Sequence, residues 1–332
     1  MNIFVCISGV LLFVVSQLAI VTSAGADELT EKERQAIQSA DVYLHVALMR
    51  DELELLRFEM GRPSDHQPPM VVSNVAPREV FFLALTLFHK ANRLAFEQTR
   101  ERVDEPKIPL GEILTGHVWQ VVDAALQRIQ RVKNELGILE KSAPGVRNAD
   151  KRPIDVFLAI VQADRQLNLL LERRFAPSDV FKQVTLAIAY SARLLSHFDG
   201  AQRIAATPPY QRGKQPVDVY YRLASVLVQL QKIGQQSGLV MLALGNVNDA
   251  AEITPSDVYD IASILVAELA YLHRQLGTVE RPLPVHYPGR KFPSDVYQRV
   301  GILEAQLMTL QAQVDANPDW LHARLQKEEI AE

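Results

Sequence analysis

Eight aromatic residues fall at one place in a stretch that the chain repeats: Tyr43, Phe81, Trp119, Phe157, Phe181, Tyr220, Tyr259 and Tyr297. Aromatic faces can stack on sugars and peptides, so such a set could form binding platforms. A residue present in every copy of a repeat more often serves a structural need that the copies share. Each ring is therefore expected to cover a helix start and to pack on the proline of the linker before it. Seven residues further along, the copies diverge. Five carry Phe88, Leu126, Ile188, Leu227 or Val266, and three carry Arg50, Asp164 and Glu304. One cation and two anions at similar height on three helices could line an interior pocket for a small ligand, because buried charge must be paired. The competing expectation places them at helix edges, where long charged side chains reach water.

Little else is arranged for catalysis. The chain has no G-x-G-x-x-G, P-loop, G-x-S-x-G, H-E-x-x-H or C-x-x-C-H motif. None of its eight histidines has a glutamate three residues before it, which a di-iron bundle would need. Asp319-Trp320-Leu321-His322 is a lone near miss. His66, His117 and His286 fall in or beside linkers, and His45, His89, His197 and His273 lie off the apolar stripes described below. All are expected at surfaces or boundaries. No catalytic residue, metal or cofactor is expected.

Two apolar runs stand outside the repeated stretches. Leu239, Val240, Met241, Leu242, Ala243 and Leu244 form one, and Val71 and Val72 a fainter one. Each either lids a bundle end or offers a patch to a partner protein.

The elements that must hold these residues follow from the repeat itself. Its clearest copy is Pro255-Ser256-Asp257-Val258-Tyr259, and the valines of the eight copies are Val42, Val80, Val118, Val156, Val180, Val219, Val258 and Val296. Their spacings are 38, 38, 38, 24, 39, 39 and 38 residues, the mark of a repeat architecture. Proline suits the first helical position, and an acid two residues later sits near the positive end of the helix dipole. Ser39 and Thr115 replace the proline in two copies and can cap, and Thr254 with Asp257 has capping-box spacing. His117 replaces the acid in one copy, which predicts a weaker start. Counting from each valine, positions 0, 4, 7, 11 and 14 are apolar in all copies, with Ser191 the one exception among forty residues. Steps of four and three form the seam of bundled helices.

The expected fold is all-α: an eight-helix repeat protein, with two four-helix bundle-like units joined through long, ordered, Pro-rich linkers. The first unit covers residues 27–175, the second 176–316, and a short amphipathic helix 317–332 presents Trp320, Leu321 and Leu325. A helix of about 22 residues is about 33 Å long, and about 15 extended residues reach about 50 Å, so most linkers could run back along a helix. Bundles favour antiparallel sequence neighbours, and that order is expected here, with linkers capping the bundle ends. The fourth and fifth helices share almost no linker.

Residues 1–26 carry no charged side chain and end in small residues, which predicts a signal peptide cut before Asp27. An uncleaved membrane anchor is the alternative. The single cysteine, Cys6, lies in this segment, so disulfides and thiolate chemistry are excluded from the mature chain. Net charge is −4 with both signs mixed, which argues against nucleic acid as a partner. Taken together, the residues predict an exported, non-catalytic binding or scaffold module for a partner protein or ligand. A small-molecule-binding or sensory bundle with an interior polar pocket is the alternative, and an enzyme is not expected.

Overall fold

In the computed structural model, the structure describes residues 30–64, 70–109, 111–143, 145–172, 175–245, 253–277, 282–283 and 288–321. The expected signal segment, and the tail beyond Leu321 with His322 and Leu325, lie outside these. Among the described residues the chain is all-helical apart from one two-residue strand pair. Its elements are α1 (Glu31–Ala36), α2 (Ser39–Glu59), β1 (Val72–Ser73), α3 (Pro77–Thr99), α4 (Thr115–Glu135) and α5 (Pro153–Leu170). Then come α6 (Pro177–Leu195), α7 (Pro216–Gln236), β2 (Ala243–Leu244), α8 (Pro255–Gln275) and α9 (Pro293–Ala316). No described helix is long and apolar enough to cross a membrane.

Helices α2 to α9 are the eight repeats, and each start is built alike. The residue before the helix donates its backbone N–H to the side chain three positions on. Gln38 donates to Asp41, Ala76 to Glu79, Arg152 to Asp155, Ala176 to Asp179, Gln215 to Asp218, Thr254 to Asp257 and Phe292 to Asp295, at 2.6–3.0 Å. At α4 the Leu114 N–H reaches His117 Nδ1 at 2.9 Å, so the unprotonated ring nitrogen does the work of the acid. The repeated acid thus satisfies a specific orphan donor besides facing the dipole. Thr254 also accepts from the Asp257 N–H, completing a reciprocal box. Ser39 and Thr115, expected as caps, instead occupy the first helical position, and the cap residues Gln38 and Leu114 make no side-chain cap bond.

All forty seam positions are buried, with at most 2% exposure. Ser191 is buried with them, and its hydroxyl has no hydrogen-bond partner. Within the first unit α2 packs on α4 and α5, and α3 packs on the same two. In the second, α6 packs on α8 and α9, and α7 on the same two. Both rings therefore have the order first, third, second, fourth.

The helices of each ring run parallel, which corrects the antiparallel order expected from bundle habit. Ser39, Val42, Pro77, Val80, Thr115, Val118, Pro153 and Val156 meet around one small gap, so α2, α3, α4 and α5 start at one end. In the second ring the Ser178 hydroxyl donates to the Gly289 carbonyl and accepts the Lys291 N–H, each at 3.0 Å, and the Ser294 hydroxyl accepts the Lys214 N–H at 3.1 Å. These bonds hold the starts of α6, α7 and α9 together. Gln183 Nε2 donates to the Tyr259 hydroxyl at 2.7 Å, bringing in the start of α8.

Long linkers make this possible by running back along the helices instead of capping the ends. After α4, the Ser142 N–H meets Glu52, and Arg147 meets Asp41 and Gln38, so the chain returns along α2. After α6, Gln306 donates to the Arg203 carbonyl and Gln298 to the Pro208 carbonyl, a return along α9.

The two rings run opposite to one another. Along α3 and α8, Glu79 lies by Glu268, Thr86 by Ser263 and Lys90 by Asp260, a falling register that makes these helices antiparallel. Since the second ring starts where the first one ends, no return linker is needed between α5 and α6. That is the physical reason for the single 24-residue spacing. It also ends α5 at Leu170, and Leu171 is already extended, with φ −68° and ψ 133°.

Two elements went unforeseen. The stretch before the first repeat holds α1, whose cap Thr30 and Glu33 form a reciprocal capping box. It lies so close to α4 that a Cβ on Gly116 would meet the Arg34 backbone at 2.5 Å. Strands β1 and β2 pair antiparallel, Val72 with Leu244 and Ser73 with Ala243.

Candidate functional site

The seam between α3 and α8 is where charge is buried. Lys90 is fully enclosed, with its Nζ 3.2 Å from Asp260 Oδ1 and 3.3 Å from Asp164 Oδ1. Burial alone would pull the ammonium pKa down, but the two carboxylates raise it. Burial pushes both carboxyls up, against the pull of Lys90. Further along, Arg78 Nε lies 2.5 Å from Glu79 and Nη2 3.6 Å from Glu268, with the guanidinium 3.8 Å above the Tyr271 ring. Burial, and then the facing Glu268 carboxylate, push Glu79 up to about 9. Thr86 donates to Ser263 at 3.4 Å between these clusters. Three polar rungs therefore set the register of one helix on another, the best-attested use of buried polar groups.

The three charges singled out in the sequence sit in different settings. Asp164, on α5, belongs to the Lys90 cluster. Glu304, on α9, is held by Arg222 of α7 at 2.6 Å. Arg50, on α2, is partly buried, with no hydrogen-bond partner at its Nε. No hydrogen bond or ion pair joins any two of them.

Of the apolar run, Met241 and Leu242 are buried, Leu239 and Leu244 partly so, and Val240 is 67% exposed. The Leu242 N–H donates to Glu268, Arg78 donates to the Val240 carbonyl, and the Gly245 N–H bonds the Val71 carbonyl. The two runs thus meet each other across the rings, closing the end of the α3–α8 seam.

The repeated rings cover helix starts, but what packs on them comes from the linker that precedes a neighbouring helix. The residue five before one repeat's valine lies on another repeat's ring. Phe175 meets Tyr259 at 4.5 Å, Lys214 lies 4.3 Å from the Tyr297 centroid, and Lys291 4.9 Å from that of Phe181. In the first ring Lys151 lies 4.1 Å from the Tyr43 centroid. Fourth helix on first recurs in both rings. These rings lock neighbours together, and half of them are not free platforms: Phe81, Phe157, Tyr220 and Tyr259 are buried.

Trp119 borders an open groove. The groove has a volume of about 380 Å³ and lies on the outer face of α4, between α1 and the linker at Pro106, Lys107, Ile108 and Pro109. Its floor is His117, Gln120, Asp123, Ala124 and Gln127. Asp123 is held by His45 Nε2 at 2.9 Å and by Gln127 Nε2 at 2.7 Å, and the His45 ring lies 5.1 Å from Trp119. No Ser, Thr or Cys lines the groove among the described residues, so the His45–Asp123 pair has no nucleophile to activate there. Among the described residues no group of three or more His, Asp or Glu could hold a metal.

Alignment of the repeats on their valines gives this groove its meaning. Gln120, Asp123, Ala124 and Gln127 of α4 correspond to Asp260, Ser263, Ile264 and Ala267 of α8. Those α8 residues are the buried face against which α3 lies. The groove is the same surface of the first ring, left uncovered. His273, expected at a surface, is likewise buried on α8, against Tyr190. Sequence reasoning missed this pairing because it tracked the seam alone. A usable signal was present, since α8 is apolar well beyond its stripe at Ile261, Ile264 and Val266. Comparison with known protein families, curated proteins and solved structures finds no match to this chain.

Proposed function

We propose that the chain is an exported, non-catalytic helical-repeat binding module, and that its docking surface is the groove on α4, which receives a helix. The observation that carries this reading is the equivalence of that groove to the α8 face, where a helix is already seated. Its lining also suits a polar-rimmed helix, with Trp119 and Ala124 as apolar contacts and Gln120, Asp123 and Gln127 as hydrogen-bonding groups. Export rests on the uncharged N-terminal stretch with its small-residue ending.

The test compares residues 27–332 with Ala124→Arg, which fills the groove floor from a partly exposed position. A partner captured by the wild-type chain from the exported fraction is purified and titrated against both proteins. At least tenfold weaker binding by Ala124→Arg is expected, and equal binding would contradict the assignment.

A further inference from the structure

Building on the docking reading above, we propose that the helix received by the α4 groove is α7 of a second copy of this chain, so that copies join head to tail. The contact inside the chain is asymmetric: the second helix of the first ring, α3, lies on the third helix of the second ring, α8. Using those two faces leaves their counterparts over. The first ring keeps its third helix, α4, and the second ring keeps its second helix, α7. Repeating the internal step from one chain to the next places α7 in the α4 groove.

The residues on the two faces fit that placement. Alignment on the valines maps Phe82, Thr86, His89, Lys90 and Arg93 of α3 onto Tyr221, Ser225, Val228, Gln229 and Lys232 of α7. Tyr221 is 43% and Val228 47% exposed, two large side chains on one face of a helix that otherwise packs within its ring. Each polar rung of the internal seam then has a complementary successor. Thr86 with Ser263 becomes Ser225 with Asp123, a hydroxyl facing a carboxylate. Lys90 with Asp260 becomes Gln229 with Gln120, two amides. Glu79 with Glu268 becomes Asp218 with Arg128, opposite charges in place of a carboxyl pair. Arg128 gives one bond to the Glu101 carbonyl, and its buried Nε has no partner. A heterologous contact of this kind yields open chains or rings of copies, not an isologous dimer.

Sedimentation velocity on residues 27–332 over a concentration series tests the proposal. The wild type is expected to shift from monomer to a ladder of larger species as concentration rises. Val228→Glu on α7 and Ala124→Arg on α4 are each expected to remain monomeric. Mixed in equal amounts, they are expected to form one dimer and nothing larger, because each retains the face the other lacks. Circular dichroism checks that both variants keep their helix content; Tyr221→Glu and Gln127→Glu, at exposed positions, replace either one that does not. A wild type that is monomeric throughout overturns the proposal, as does a single variant that still associates or a mixture that does not pair. If the wild type is monomeric while a separate partner is lost on Ala124→Arg, only self-docking falls; if that variant changes no binding of any kind, the groove assignment falls with it.

Discussion

Helices α4 and α8 hold the same place in their rings, and only α8 is covered by a helix of the other ring. Along α8 the outer face has become Asp260, Ser263, Ile264 and Ala267, small or apolar except where a rung is needed. Along α4 the same positions are Gln120, Asp123, Ala124 and Gln127, which water can solvate. The seam and the outer face of one helix are therefore under separate physical demands. The seam is needed to make a ring at all, and all eight helices carry it. The outer face records what a ring meets next, so it varies from helix to helix.

Removing the cation at the covered face should destabilise the chain most. Lys90→Met leaves Asp164 and Asp260 enclosed without a partner, which costs about 3–5 kcal/mol near neutral pH. The matching change on the uncovered α7 face, Gln229→Met, should alter stability by less than about 0.5 kcal/mol. Urea unfolding of both variants measures the contrast, and similar losses would erase the distinction between the two faces.

The covered seam should also respond to pH. Glu79 has its pKa raised to about 9 in the folded chain, so its stabilising effect is complete below the ordinary carboxylate range. That effect is lost as pH rises towards 9, with a slope of at most about 1.4 kcal/mol per pH unit for one group. Glu79→Gln, an uncharged isostere, should flatten the fall of unfolding free energy between pH 6 and pH 9 relative to wild type, a range set by the raised value. A parallel profile would show that the carboxyl pair is not the titrating unit.

A smaller effect separates the two helix starts. Thr254 and Asp257 complete a reciprocal box at α8, whereas α4 relies on the neutral His117 ring. His117→Asp should add about 0.3–1 kcal/mol by placing a negative charge at the dipole. Thermal melts would read it, and a loss of stability would mean that the imidazole does more there than accept one bond.

Much of this architecture can be read from the residues. The forty stripe positions define eight helices because a 3.6-residue period admits one face only, and all forty are buried. The acid two residues into the repeat marks seven of the eight starts, with His117 standing in at α4, although its specific bond to the preceding N–H is visible only in three dimensions. Helix direction could not be decided from length, because a return linker and an end cap of 15 residues look alike; the short link between α5 and α6 is the clue, since it is the only place where no return is required. The polar rungs were unreadable for a different reason. Thr86, Lys90, Asp260 and Ser263 lie off the stripe, where a polar residue ordinarily means solvent. The three mid-helix charges fell the other way: equal height on the helices does not bring Arg50, Asp164 and Glu304 together, because Asp164 turns to Lys90 of α3 and Glu304 to Arg222 of α7.

Residues 27–332 contain no cysteine, so engineered thiols can report directly on the docking surface. Thr86 and Ser263 touch across the internal seam, and their counterparts are Ser225 and Asp123. A chain carrying Ser225→Cys and Asp123→Cys, oxidised under mild conditions, should run on a non-reducing gel as a ladder of disulfide-linked copies, while each single variant yields no rung above dimer. A double variant that remains monomeric, or that links no further than either single variant, would contradict the claim that the face covered on α8 and open on α4 is one docking surface.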